Sequence, residues 1–176
     1  MQGRLLPKYQ GRYQAHPVDY WQQEFELAQE IGLDCIEFIL DFNDAEKNPL
    51  LKKGGVDEIL SIINKTGISV KTVCADLFIV APLHSEDKVA SRHSQKIMKR
   101  LLDNVAELGV TDVVVPCVDK SSLVSQQTVN RFVKQLMPCV QVAEKKAINI
   151  SLETDLPPRT FLELLDRFDS EHVTVN

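Results

Sequence analysis

Six acidic residues stand at or just beyond the ends of short β-branched runs: Glu37 and Asp41, Asp76, Asp119, Glu153 and Asp155. If the runs are parallel strands, their C-terminal ends share one side of the sheet, and the carboxylates converge on one mouth. Like charges gathered there need a partner, and a divalent cation is the usual one. Glu153 fits such a role best. Alternation over residues 148–156 sets Ile148, Ile150 and Leu152 on one face and Asn149, Ser151, Glu153 and Asp155 on the other. Glu153 is then inward-facing and late in its strand, behind two small polar residues. Glu37 joins it if Cys35 and Ile39 share its face. Asp76 closes one face of residues 69–77, with Val70, Thr72 and Cys74. For Asp41, Asp119 and Asp155 the simpler reading is a loop acid or helix N-cap.

His84 follows Pro82-Leu83 in the loop after residues 69–77, on the side of these acids. A neutral imidazole there either binds a substrate hydroxyl or is a solvated loop histidine. His172 begins its strand, at the wrong end for a barrel site. Cys35, Cys74 and Cys117 are read as inner-face residues, and buried cysteine behaves as a small hydrophobe. The four cysteines form no C-x-x-C pair, so neither a structural zinc site nor a redox motif is signalled. Reduced thiols in a cytoplasmic protein follow.

The elements that must position these groups are short. Strands are expected at residues 34–40, 69–77, 112–119, 148–156 and 172–176, with a stub at 1–5. Helical spacing appears at residues 20–31, 56–65, 91–108, 129–146 and 158–168. Pro138 marks a kink or break in the fourth, and Pro158 suits a first helical turn. Strand and helix alternate with a period of roughly 35 residues, the size of a βαβ crossover, which predicts a parallel sheet. An open doubly wound sheet needs both strand faces apolar. Here one face turns polar toward the strand ends, as in a (β/α)8 barrel, and no G-x-G-x-x-G follows the first strand.

The chain has 176 residues, 44% hydrophobic and 26% charged, with a net charge of −5. It reads as one domain over residues 1–176. Twenty basic against twenty-five acidic residues, with no basic stripe, argue against a nucleic-acid partner. No apolar run reaches the roughly 20 residues of a membrane helix, and the first residues lack the apolar core of a signal peptide. A full barrel takes roughly 250 residues. The expectation is therefore an α/β fold: an incomplete (β/α)8 TIM barrel of about six parallel strands with outer helices, the N-terminal two-thirds of the whole.

Several stretches in order now resemble the sugar phosphate isomerase/epimerase family, with its xylose-isomerase-like barrel. They are Met1-Gln2-Gly3-Arg4-Leu5, residues 21–28 followed by Ile31-Gly32-Leu33-Asp34, Cys35-Ile36-Glu37-Phe38, Asn48-Pro49-Leu50, Cys74-Ala75-Asp76, Pro82-Leu83 and Ser151-Leu152-Glu153. The resemblance implies an enzyme that interconverts aldose and ketose, or epimerises a carbon beside a carbonyl. It implies a divalent metal (Mn, Mg, Zn or Co) that polarises the substrate oxygens while carboxylates move protons. Glu153 matches the family's fifth-strand glutamate, a metal ligand or catalytic acid/base, and the other ligands come from strands six to eight. Glu37, Asp76 and His84 are then expected to bind a carbohydrate substrate. Asp76 stands where family patterns often carry a histidine. Two other functions compete: a non-catalytic α/β module, and an endonuclease-like nuclease, which lacks its early histidine ligands and basic groove here. As an incomplete barrel the chain is expected to be inactive alone, and to self-associate as a homo-oligomer through open sheet edges.

Overall fold

The computed structural model describes residues 5–176. The stub read at residues 1–5 falls, but for Leu5, outside the described residues. The chain opens with helix α1 (Gln22–Glu30) and then alternates: β1 (Cys35–Ile39), α2 (Gly55–Thr66), β2 (Ser69–Cys74), α3 (Leu77–Val80), α4 (Lys88–Glu107), β3 (Asp112–Cys117), α5 (Gln126–Lys146), β4 (Asn149–Thr154), α6 (Pro158–Asp166) and β5 (Val173–Val175). Local chemistry sets several of these ends. Asp87 caps α4 by accepting from the Val89 N–H at 2.7 Å, and Ser125 caps α5 by accepting from Thr128 at 3.2 Å. Gly67, at φ 75°, ends α2 in the left-handed conformation that a helix stop favours.

All five strands are parallel and lie in the order β1-β2-β3-β4-β5. The order has no reversal, so a doubly wound sheet is excluded and the barrel order stands. Five strands are present among the described residues, against the six expected.

Two elements depart from the sequence reading. The run 69–77 stops as a strand at Cys74, and Leu77–Val80 coils into a short helix that buries Leu77 and Phe78. An apolar β-like run was recruited for helical packing, because tertiary burial outweighs weak local propensity. Pro138 lies inside α5, which runs unbroken over 21 residues. Burial of Leu136, Cys139, Val140 and Ala143 holds the helix together around the missing N–H.

The core lies between one face of the sheet and the helices. Val73, Val113, Val115, Ile150 and Leu152 are fully or almost fully buried there, against Phe25, Ile59, Leu101, Leu102, Phe132 and Leu136. Val70 belongs to this side too. The register between β1 and β2 slips at Lys71: Ile36 pairs with Val70, but Glu37 pairs with Thr72. This bulge reverses the facing of β2, so Val70 packs on helices while Thr72 and Cys74 face the other way. Val70, which simple alternation sets on the face of Thr72, Cys74 and Asp76, is corrected to the helix side, where Val113 also packs.

Candidate functional site

Paired residues of a parallel ladder point to the same side of the sheet. The inner face can therefore be read row by row. Glu37, Thr72, Asp112 and Asn149 form one row; Ile39, Cys74, Val114, Ser151 and Thr174 the next; Pro116 and Glu153 follow. Side-chain bonds run along these rows. Asn149 donates to Asp112 Oδ1 at 2.9 Å, Ser151 donates to the same oxygen at 3.3 Å, and the Ser151 and Thr174 hydroxyls meet at 2.9 Å. Glu153 thus stands on the inner face, one alternation beyond Ser151. Cys117 alternates with Val113 and Val115 and lies in the helix-facing core, so it does not share the inner face with Cys74.

Two carboxylates act on a third on the inner face: Glu37 from mid-β1 and Asp76 from just past β2 both bear on Glu153, late in β4. Asp76 is 6% exposed just past β2; its Oδ1 accepts from the Cys74 thiol at 3.0 Å and its Oδ2 from the Gln14 amide at 3.0 Å. Burial raises its pKa and Asp41 adds to that, while the Cys74 and Gln14 hydrogen bonds and the Arg12 charge pull it back. Burial also raises Glu153, and the charges of Asp76 and Glu37 push it further. The Cys74 thiol is driven up by burial first, then by Asp76, Glu37 and Glu153, so it stays protonated. The charges of Glu37 and Asp76 thus reach Glu153, and all three carboxylates reach the Cys74 thiol. Of these, Asp76 and Glu153 hold their protons more tightly than ordinary carboxyls, the direction that suits a group exchanging protons with a ligand.

Asp41 has a different task. It is fully buried and forms a two-pronged ion pair with Arg12, at 2.8 Å and 3.3 Å. The N–H groups of His16 and Asn43 donate to it at 3.0 Å and 3.3 Å. It stands in the loop after β1, as expected, but is buried and paired rather than solvated. It anchors a tight turn in which Tyr9 and Arg12 exchange both main-chain bonds across Gln10 and Gly11, each at positive φ. Asp119 and Asp155 are exposed, and Asp155 accepts from the Ser122 hydroxyl at 2.6 Å.

His84 is not a solvated loop residue. It is 7% exposed and sits among Phe78, Leu83, Val115, Pro116 and Phe132, edge-on to the Phe132 ring at 6.0 Å. Its Nδ1 finds no hydrogen-bond partner among the described residues. Burial, then the Arg131 charge, lowers its pKa and keeps the ring neutral. No hydrogen bond among the described residues joins it to Glu37, Asp76 or Glu153, so the structure does not bring it into the acidic cluster.

The cluster offers carboxylate oxygens, the donors that hard cations such as Mg and Mn prefer. Among the described residues, however, no three His, Cys, Asp or Glu side chains come close enough to hold a metal ion. Glu153 can supply one ligand and no closed site. Sequence reasoning missed Arg12 and Gln14, whose partners lie 29 and 62 positions away. The available signal was Gln10-Gly11, a tight-turn pair that brings the following side chains back onto the strands.

A sheet whose parallel strands follow chain order, with carboxylates gathered at one end, defines an α/β-barrel architecture with its site at the strand ends. The family model for the xylose isomerase-like TIM barrel matches residues 25–176, and the chain belongs to that family. The 2-epi-5-epi-valiolone 7-phosphate 2-epimerase of Actinoplanes sp. is 26% identical over 145 residues, which is 82% of this chain and 52% of that protein. D-psicose 3-epimerase from Clostridium cellulolyticum H10, solved with D-tagatose, superposes with a TM-score of 0.72 at 18% identity, covering 92% of this chain and 58% of that one. A xylose isomerase-like barrel protein of Mycobacterium smegmatis, solved with magnesium, gives a TM-score of 0.69 at 14% identity over 91% of this chain and 56% of that one. The chain spans about half the length of the curated relatives it matches. Among the described residues no helix is long and apolar enough to cross a membrane.

Proposed function

We propose that this chain carries part of the active site of a sugar or sugar-phosphate isomerase or epimerase, working by metal-assisted proton transfer beside a carbonyl. The observation that carries the reading is that the charges of Glu37 and Asp76 meet on Glu153 at the inner face, with Asp76 and Glu153 both raised from their ordinary values. The family's sugar-epimerase relatives supply the substrate class. Glu153 takes or returns the proton on the carbon beside the carbonyl, and its raised pKa makes it the stronger base. Glu37 and Asp76 accept hydrogen bonds from substrate hydroxyls. His84 reaches substrate only if the packing about Phe132 opens, so it ranks behind the acids as a binding residue.

Glu153 would give one oxygen ligand to a divalent cation (Mn, Mg, Zn or Co); the remaining ligands are not among the described residues. When bound, such a cation polarises the carbonyl and hydroxyl oxygens of the sugar. The same reading places the protein in the cytoplasm, where the four cysteines, none in a disulfide, stay reduced.

A second reading has a specific support: with no three-ligand group among the described residues, the chain binds a sugar without turning it over. Incubation of the intact barrel with ketoses and ketose phosphates in deuterated water, with and without Mg or Mn, separates the two. Washing deuterium into the carbon beside the carbonyl, lost in Glu153→Gln, is the result expected of the epimerase. Sugar binding without exchange supports the second reading, and neither binding nor exchange overturns both.

A further inference from the structure

The tight turn anchored by Asp41 delivers a polar side chain to the acidic mouth. Gln14 lies two residues beyond Arg12. Its side-chain Nε2 donates to Asp76 Oδ2 at 3.0 Å, yet the residue as a whole is exposed. Its backbone is held as well, because Arg12 Nη1 donates to the Gln14 carbonyl at 3.1 Å while the same guanidinium grips Asp41. Gln14 is thus an exposed residue with both ends fixed: main chain by Arg12, side chain by Asp76.

The amide's orientation follows from its partner. An ionised carboxylate only accepts, so the nitrogen end of the Gln14 amide must face Asp76. The carbonyl Oε1 is then turned away, and one N–H is left over. Among the described residues neither has another hydrogen-bond partner. An acceptor and a donor side by side match a hydroxyl, which gives and takes one hydrogen bond each. Two neighbouring hydroxyls of a polyol match the pair equally well.

We propose that Gln14 is a specificity-determining residue of this mouth, its amide oriented by Asp76 and reading a hydroxyl group of a bound sugar. The inference deepens the sugar-binding reading above and rests on it. It goes further in naming a residue outside the acid cluster and the atom pair that recognises the ligand.

The test is calorimetric titration of the full chain, with magnesium chloride, by a panel of ketoses and ketose phosphates. It is followed by titration with the monodeoxy analogues of the tightest binder. Wild type is expected to bind one deoxy analogue about threefold to tenfold more weakly, the share of one uncharged hydrogen bond. In Gln14→Leu the parent sugar weakens by a similar factor, and that one analogue loses its penalty, so the two bind equally. The exposed position leaves the fold of Gln14→Leu intact, and a single cooperative urea transition, its midpoint lowered only by the lost bond to Asp76, checks this. As a second measurement, the side-chain amide resonances of Gln14 in wild type shift when the sugar is added. If sugar binds and every deoxy penalty survives in Gln14→Leu, this inference falls and the proposed function stands. If no sugar binds wild type, both fall together.

Discussion

The two faces of the same five strands have opposite characters. The helix side carries Val73, Val113, Val115, Ile150 and Leu152, closed off from water by the helices. The inner side carries Glu37, Thr72, Asp112, Ser151, Thr174 and Glu153, joined by hydrogen bonds and shared fields. One residue along a strand separates the two regimes, since neighbouring side chains point to opposite sides. The helix face supplies most of the driving force for folding. The inner face holds polar groups where they repel one another, a cost that function explains and stability does not.

Mutations on adjacent positions of β4 test this division. Ile150→Ala should cost about 2–5 kcal/mol of unfolding free energy in urea, because a fully buried side chain leaves a cavity against the helices. A loss under about 1 kcal/mol would show that the helix side is less tightly packed than its burial implies. Ser151→Ala, one residue on, should cost about 1 kcal/mol, since it removes the hydroxyl that bridges Asp112 and Thr174.

The faces should also respond oppositely to pH. Packed on the helix side, His84 has its folded pKa below the unfolded value of 6.5. As pH falls through 6.5 the unfolded chain takes up a proton that the folded chain refuses. Stability is lost until the pH passes the folded pKa. Urea midpoints of wild type should therefore drop below pH 6.5 more steeply than those of His84→Leu; equal slopes would remove His84 from the account. Glu153 runs the other way. Its folded pKa lies above the unfolded value of 4.5, so whatever stability its protonated form adds is lost as pH rises through the folded pKa. Glu153→Gln should hence change neutral-pH stability by less than about 0.5 kcal/mol while abolishing proton exchange into bound sugar.

Much of this division was legible from residue types alone. In β4, Ile150 and Leu152 alternate with Ser151 and Glu153, and the register confirms the facing. β3 gives no such phase, because Val113, Val114, Val115 and Pro116 are buried on both sides. In β2 the bulge at Lys71 resets the alternation, and nothing local in Ser69-Val70-Lys71-Thr72 announces it. The acids at the strand ends were visible as types, but their partners were not. Asp41 looks like any loop acid until Arg12, 29 positions earlier, folds onto it. His84 looks like a surface residue until Phe132, from a distant helix, closes over it. Pairings of this kind are set by topology, and composition carries no trace of them.

The strand order has a consequence for how the molecule is made. From β2 onward each strand pairs on one side with the strand made just before it, so it finds a first partner already synthesised. On a ribosome, where the N-terminal side emerges first, the sheet can grow at a single moving edge. Among the described residues the edge at β1 stays in place while the other edge moves to the newest strand, and the next βα unit to appear is the one that covers that moving edge. Synthesis order and pairing order coincide, which limits the time that an unpaired backbone is offered to other nascent chains.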